Sequence, residues 1–254
     1  MRALYTAASG MTAQQTRLDT IANNIANVGT TGFKKSRDAF QDLFYQQLAG
    51  GSAADRGSRL ELGAGTRIAG IERDQGQGAL VATNNPLHVA IQGDAFFTVE
   101  TPSGDRMYTR DGSFSKDADG YLVTAGGLQV GGDIRIPDDA GALTVDYDGT
   151  VHAQIGSGTD DLVLGQLEIA RFVNAAGMEA RGDNLFLPTL QSGDPIDVDA
   201  GTDVQIVQGY LEGSNVDVAT ELIDMIQAQR IYELNSKVIQ AADEALGVAA
   251  NLRR

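Results

Sequence analysis

Two histidines, His88 and His152, and no cysteine leave this 254-residue chain poor in the side chains that bind metals or attack substrates. A zinc site draws several Cys, His or carboxylate ligands together at set spacing, whereas a lone histidine in a strand pattern is ordinarily structural. Asp117-Ala118-Asp119-Gly120 opens like a calcium loop, but the glutamate such a loop carries at its twelfth position is missing, so a β-turn is expected. Gly63-Ala64-Gly65 lacks the strand–helix setting and the later glycine of a dinucleotide-binding turn. Arg181-Gly182-Asp183 spells an adhesion tripeptide and reads as a turn. Between residues 67 and 210 the only glutamates are Glu72, Glu100, Glu168 and Glu179, and no nucleophile and base are spaced to act together. The expectation is no catalytic residue, no metal and no cofactor. Two rival readings have clear tests. A glycan hydrolase would clear peptidoglycan in a zymogram, and a secreted β-rich adhesin would keep its function in isolated residues 67–210.

The chemistry that the spacing does support is the burial of one surface against another. Leu4, Met11, Leu18 and Ile25 recur every seven residues, with Ala7, Ile21 and Val28 three positions after members of the series and Gln14 interrupting it. Val218, Met225, Tyr232, Ile239 and Leu246 repeat the pattern near the other end, with Leu222 beside them. A sustained heptad of this kind specifies a helix that buries a narrow seam against another helix. Asn23, Asn24 and Asn27 cluster toward the end of the first pattern. Asparagine is a poor interior helix residue and a good amide bonder, so the cluster either caps the helix locally or bonds across a seam between subunits. Phe33, Phe40, Phe44 and Tyr45 follow, as interface anchors or as a local mini-core.

These residues need elements to position them. A first helix is expected over Arg2–Asn27, about 39 Å long at 1.5 Å per residue. It should stop at Asn27-Val28-Gly29, with Gly29 in the left-handed conformation. Residues 33–48 fit either a short helix or an extended segment, and residues 49–59, AGGSAADRGSR, read as a flexible loop. From Gly65 the period shifts toward two. Strands are expected at Arg67–Glu72, Leu87–Gln92, Phe96–Glu100, Met107–Thr109, Phe114–Lys116, Leu122–Thr124, Leu128–Val130, Ile134–Ile136 and Leu143–Tyr147. More follow at Val151–Ile155, Leu162–Phe172, Asn184–Pro188 and Val204–Tyr210. Asp-Gly pairs at 111–112, 119–120 and 148–149 signal hairpins in which both residues take positive φ. Many short strands with regular turns imply a barrel or sandwich. A last helix is expected from near Val216 to about Ala250, capped by Ser214 or Asn215 and followed by Arg253-Arg254. The expected division is a helix over 1–30, an extended linker over 31–66 that contacts neighbours, a β-rich outer domain over 67–210, and a helix over 211–254. The two end helices are expected to form an antiparallel coiled-coil pair, ordered only when further copies cover the apolar surface that remains.

Composition narrows the classes further. No stretch approaches the apolar length of a membrane span, so no direct membrane insertion is expected. The N-terminus lacks the continuous apolar block of a Sec signal. Residues 67–210 hold 8 Lys/Arg against 22 Asp/Glu. A surface with that surplus repels phosphate, which makes nucleic acid a poor partner.

The run ANNIANVGTTGFK (Ala22–Lys34) resembles the N-terminal signature of the flagellar axial proteins, the family of rod, hook and hook-associated proteins. Residues Gln208–Leu246 resemble its C-terminal signature, and Ile91–Val130 resembles the rod subgroup. RDAFQDLFYQQL (Arg37–Leu48) favours the distal rod branch over the proximal one, with proximal rod or hook as the alternative. The resemblance implies a structural subunit that self-assembles into a helical tube, transmits motor torque to the hook, and is not an enzyme. It implies end helices in the inner layer and β domain in the outer. It further implies as partners copies of the same chain, proximal rod proteins, hook protein, the surrounding L- and P-ring proteins and the flagellar type III export apparatus. The location implied is the basal body of the bacterial flagellum, in a rod that spans the periplasm.

Overall fold

The computed structural model describes residues 2–48, 60–155, 161–201 and 203–251. Helices at the two ends flank a mainly β middle of many short strands. The chain forms two compact units: residues 1–26, 36–73 and 217–254 make one, and residues 27–35 and 74–216 make the other.

In the first unit, α1 spans Arg2–Ala26 and α2 spans Val218–Asn251. They run antiparallel, since Asn24 meets Glu221, Arg17 meets Asp224, and Gly10 faces Asn235. On that alignment, α2 outruns the start of α1 by about two turns, roughly 12 Å. The N-cap of α2 is Asp217, whose carboxylate accepts the Ala219 N–H at 3.0 Å and the Thr220 hydroxyl at 2.9 Å. Ser214 accepts only the Val216 N–H, and Asn215 is committed elsewhere, so neither expected cap serves. Arg253-Arg254 lies outside the described residues.

Residues 36–48 are extended, and the helical alternative is not adopted. Ser36–Asp42 pairs antiparallel with Thr66–Arg73, with a bulge at Ala39/Phe40, and Tyr45–Leu48 continues against Leu60–Gly63. This ribbon lies along α1. Thr20 donates to Asp38 at 2.8 Å, Ser36 exchanges bonds with Asn24, and the Thr66 N–H reaches Ser9 Oγ. The flexible loop expected at residues 49–59 lies outside the described residues.

In the second unit, a nine-stranded sheet carries Phe96–Glu100 and Arg106–Thr109 at its centre. A three-stranded meander (Ala140–Val145, Thr150–Ile155, Asp161–Gln166) and two strand pairs, Val89–Gln92 with Gln205–Gln208 and Leu80–Ala82 with Tyr210–Glu212, accompany it. Val89, Ile91, Phe97, Phe114, Ile134, Val151 and Ile206 centre the main core. Phe96, Tyr108, Phe172, Met178 and Phe186 form a second, edge-to-face aromatic core.

Several expected elements differ. Ile134–Ile136 forms no strand; its two isoleucines fill the core, and only Arg135 makes an isolated bridge with Tyr121. Leu162–Phe172 is two strands, and Val204–Tyr210 breaks at Gly209, which takes φ +78°. Gly29 does not adopt positive φ; the chain turns after α1 through Thr30 N–H to Asn27 O and reverses at Gly32. At 119–120 and 148–149 only the glycine takes positive φ, because each turn closes on the glycine, Gly120 N–H to Asp117 O and Gly149 N–H to Asp146 O, which leaves the left-handed position to the glycine alone.

Candidate assembly surface

The row of side chains joining α1 to α2 is mostly small and polar. Gly10 meets Asn235, where a Cβ would stand 2.9 Å from Nδ2. Arg17 pairs with Asp224 at 3.2 Å. Asn24, 1% exposed, donates to Glu221 at 3.2 Å and to the Ser36 carbonyl at 2.9 Å, and its Oδ1 accepts the Ser36 N–H. Gln14 is buried with its Oε1 unpartnered. Among the described side chains of α2, only Glu221 and Ala228 are buried.

At 3.6 residues per turn Ile21 and Ile239 fall within that row, and the other larger apolar residues lie beside or beyond it. Ile21 is buried, while Leu4, Met11, Leu18 and Ile25 are half-buried. On α2, Met225 and Ile239 are half-buried, and Val218, Leu222, Tyr232 and Leu246 are exposed. A second series went unread in the sequence: Ile231, Leu234, Val238, Ala241, Ala245 and Val248, spaced three and four apart and all exposed. At 3.6 residues per turn, Val218, Leu222 and Met225 sit about 90° to one side of the row facing α1, and the second series sits about 90° to the other. Reading the heptad from Ile231 as well as from Val218 finds it. Apolar side chains therefore lie on more than one side of α2.

The remaining candidates divide. Asn23 is exposed and Asn27 half-buried, with Asn27 Oδ1 accepting the Thr30 hydroxyl. Phe33 is half-buried in the second unit, where its carbonyl accepts the Asn215 N–H. Phe40 lies 6.0 Å beneath the Arg17 guanidinium. Phe44 is 92% exposed, and Tyr45 is exposed at the next position, its phenol pushed up by a hydrogen bond to Asp42 and by the charge of that carboxylate. The ribbon therefore presents aromatic surface to solvent.

Three buried charges in the second unit were not anticipated. Glu212 takes Lys34 Nζ at 2.6 Å and the Gly78 N–H at 2.9 Å on Oε1, and Arg110 at 3.2 Å on Oε2. Lys34 also donates to Gly76 O, and Arg110 donates to Gly93 O while stacking over Phe96. Arg110 Nε has no partner. Burial pulls the Lys34 ammonium below its ordinary range against the opposing pull of Glu212, and it does the same to Arg110. Each charge comes from one of the three signature segments.

A family model described as flagella basal body rod protein matches residues 4–34. One described as flagellar hook protein FlgE/F/G D1 domain matches 90–153, and one described as flagellar basal body rod FlgEFG protein C-terminal matches 207–252. The chain is 47% identical to the flagellar basal-body rod protein FlgG of Borreliella burgdorferi, covering 100% of this chain and 99% of the relative. It is 45% identical to the protein of that name from Agrobacterium fabrum over 98% of both chains, and 41% identical to that of Caulobacter vibrioides over 100% of both.

Proposed function

Because this chain belongs to the family of flagellar basal-body rod proteins, we propose that it is a structural subunit of the distal rod, self-assembling into the tubular shaft that transmits torque to the hook. The observation that carries this reading is the placement of α2's apolar residues. One row meets α1 through small and polar side chains, and the flanks to either side carry Leu, Ile, Val and Tyr in the open. Two different flanks that both seek cover favour head-to-tail association, which propagates into a filament when rotation does not close a ring. The helices would pack with copies of themselves as coiled-coil neighbours, forming an inner layer, and the residues named above would be interface residues. The ribbon's Phe40, Phe44 and Tyr45 would wedge against further copies. The domain division that fits this role is a terminal-helix layer, a bridging segment over 31–66 and an outer β domain.

The further partners are proximal rod proteins at one end, the hook protein at the other, and L- and P-ring proteins around the shaft, with the subunit exported by the flagellar type III apparatus into a rod spanning the periplasm. An acidic β domain supports this, since a hydrated surface of one sign resists sticking to a sleeve. The test is electron microscopy of basal bodies from a strain lacking this chain. The rod should stop short and carry no hook. A full-length rod in that strain would overturn the proposal.

A further inference from the structure

The chain passes between its two units at four places, at 26–27, 35–36, 73–74 and 216–217. Three of the second-unit segments that border these crossings, residues 32–35, 74–78 and 212–216, are bonded to one another. The Asn215 amide is the first hub: Oδ1 accepts the Lys35 N–H at 2.8 Å, and Nδ2 donates to Asp74 O at 2.8 Å and Gly76 O at 3.1 Å. Asp74 N–H returns to Lys35 O, and Asn215 N–H to Phe33 O. Glu212 is the second hub. Its backbone carbonyl takes the Gly32 N–H, and its carboxylate takes Lys34 from one segment, Gly78 N–H from another, and Arg110 from the sheet side.

Buried ion clusters are weak evidence for stability, because apolar side chains of similar volume often serve as well, and in some proteins their use is to impose one arrangement over others. This cluster is arranged for that use. The three side chains are at most 2% exposed, and the carboxylate is the single anion between two cations. It bonds both of the other exit segments, as Lys34 does through Gly76 O and Glu212, and it alone also holds Arg110 from the sheet side.

We propose that Glu212 is a latch that locks the three exit segments into one joint, so that removing its charge opens the joint while the sheet beneath stays folded. The mechanical consequence rests on the shaft reading: force entering the β domain would be shared by three chain segments side by side. The test does not rest on that reading, because it uses the free subunit.

In full-length Glu212→Gln, the Lys34 and Arg110 cations lose the anion between them. Hydrogen exchange read by mass spectrometry should accelerate at least about tenfold at Lys35, Gly78, Gly213 and Asn215, with strands Phe96–Glu100 and Arg106–Thr109 unchanged. Unchanged exchange at the joint overturns the latch, as does acceleration of the sheet by the same factor. If the single variant fails to fold, Lys34→Met/Arg110→Met/Glu212→Met removes all three charges together. A folded sheet with an exchanging joint is again expected there, and a joint as protected as in the parent overturns the proposal.

Discussion

Asn24 and Lys34 both stand in the N-terminal signature, and they do different things. Asn24→Ala strips the Ser36 N–H of its acceptor and Glu221 of a donor in a buried setting. Each buried group left unpaired costs about 1–3 kcal/mol, so the urea midpoint of the helical unit should fall accordingly; an unchanged midpoint would show that water replaces the amide. Lys34 makes a pH prediction. Its folded pKa lies below the ordinary 10.5 because burial outweighs Glu212. Between those two values the unfolded chain holds more protons than the folded one, so stability rises with pH across that interval and is flat beneath it. The stability gap between the parent and Lys34→Met should therefore widen as pH climbs toward 10.5, and a gap that narrows contradicts the assignment. The asparagines drew notice in the sequence because their type is unusual in a helix. Lys34 did not, because its partner Glu212 is 178 residues away and Glu212's second partner, Arg110, is itself 102 residues from Glu212; no local pattern announces a contact that only the tertiary fold creates.

At the level of elements, periodicity located both helices to within two residues at each end, and it found Phe96–Glu100 with its observed bounds. A seven-residue repeat says which residues share a face, but it does not say which neighbour covers that face. That is why the heptads marked α1 and α2 without revealing that small and polar residues join them. Strand pattern failed for Ile134–Ile136 for a related reason: alternation reports burial, and these isoleucines are buried with no ladder beside them. The strand at Arg67–Glu72 was legible, but the pairing of 36–48 with 60–73 escaped, because 33–48 fits helix and extended segment alike and its partners lie across residues 49–59 in the sequence. The ribbon's crossing over α1 rests on Gly65, which takes φ +116° with Ser9 Oγ where a Cβ would stand. Gly65→Ala forces both the dihedral and the approach, and should destabilise the helical unit by about 1–3 kcal/mol. Limited proteolysis should then cut the ribbon sooner than in the parent; equal cutting rates would mean that the ribbon does not depend on this contact.

For the molecule as a whole, the proposed assembly surface on α2 includes side chains that the fold of the free subunit leaves uncovered. Replacing Ile231, Leu234 and Val238 by serine touches side chains that are already exposed in the subunit. Unfolding of the free subunit should therefore shift by no more than about 0.5 kcal/mol per site, while shafts viewed by electron microscopy should be absent. Normal shafts from this variant would remove the flank of α2 from the contact. The unequal lengths of the two helices, 25 residues against 34, bear on the same contact. A subunit whose helices end at different heights offers a step, not a flat end. In the proposed shaft, neighbours that filled such steps would overlap, as bricks do in a bonded wall, and no plane through the stack would then run along joints alone.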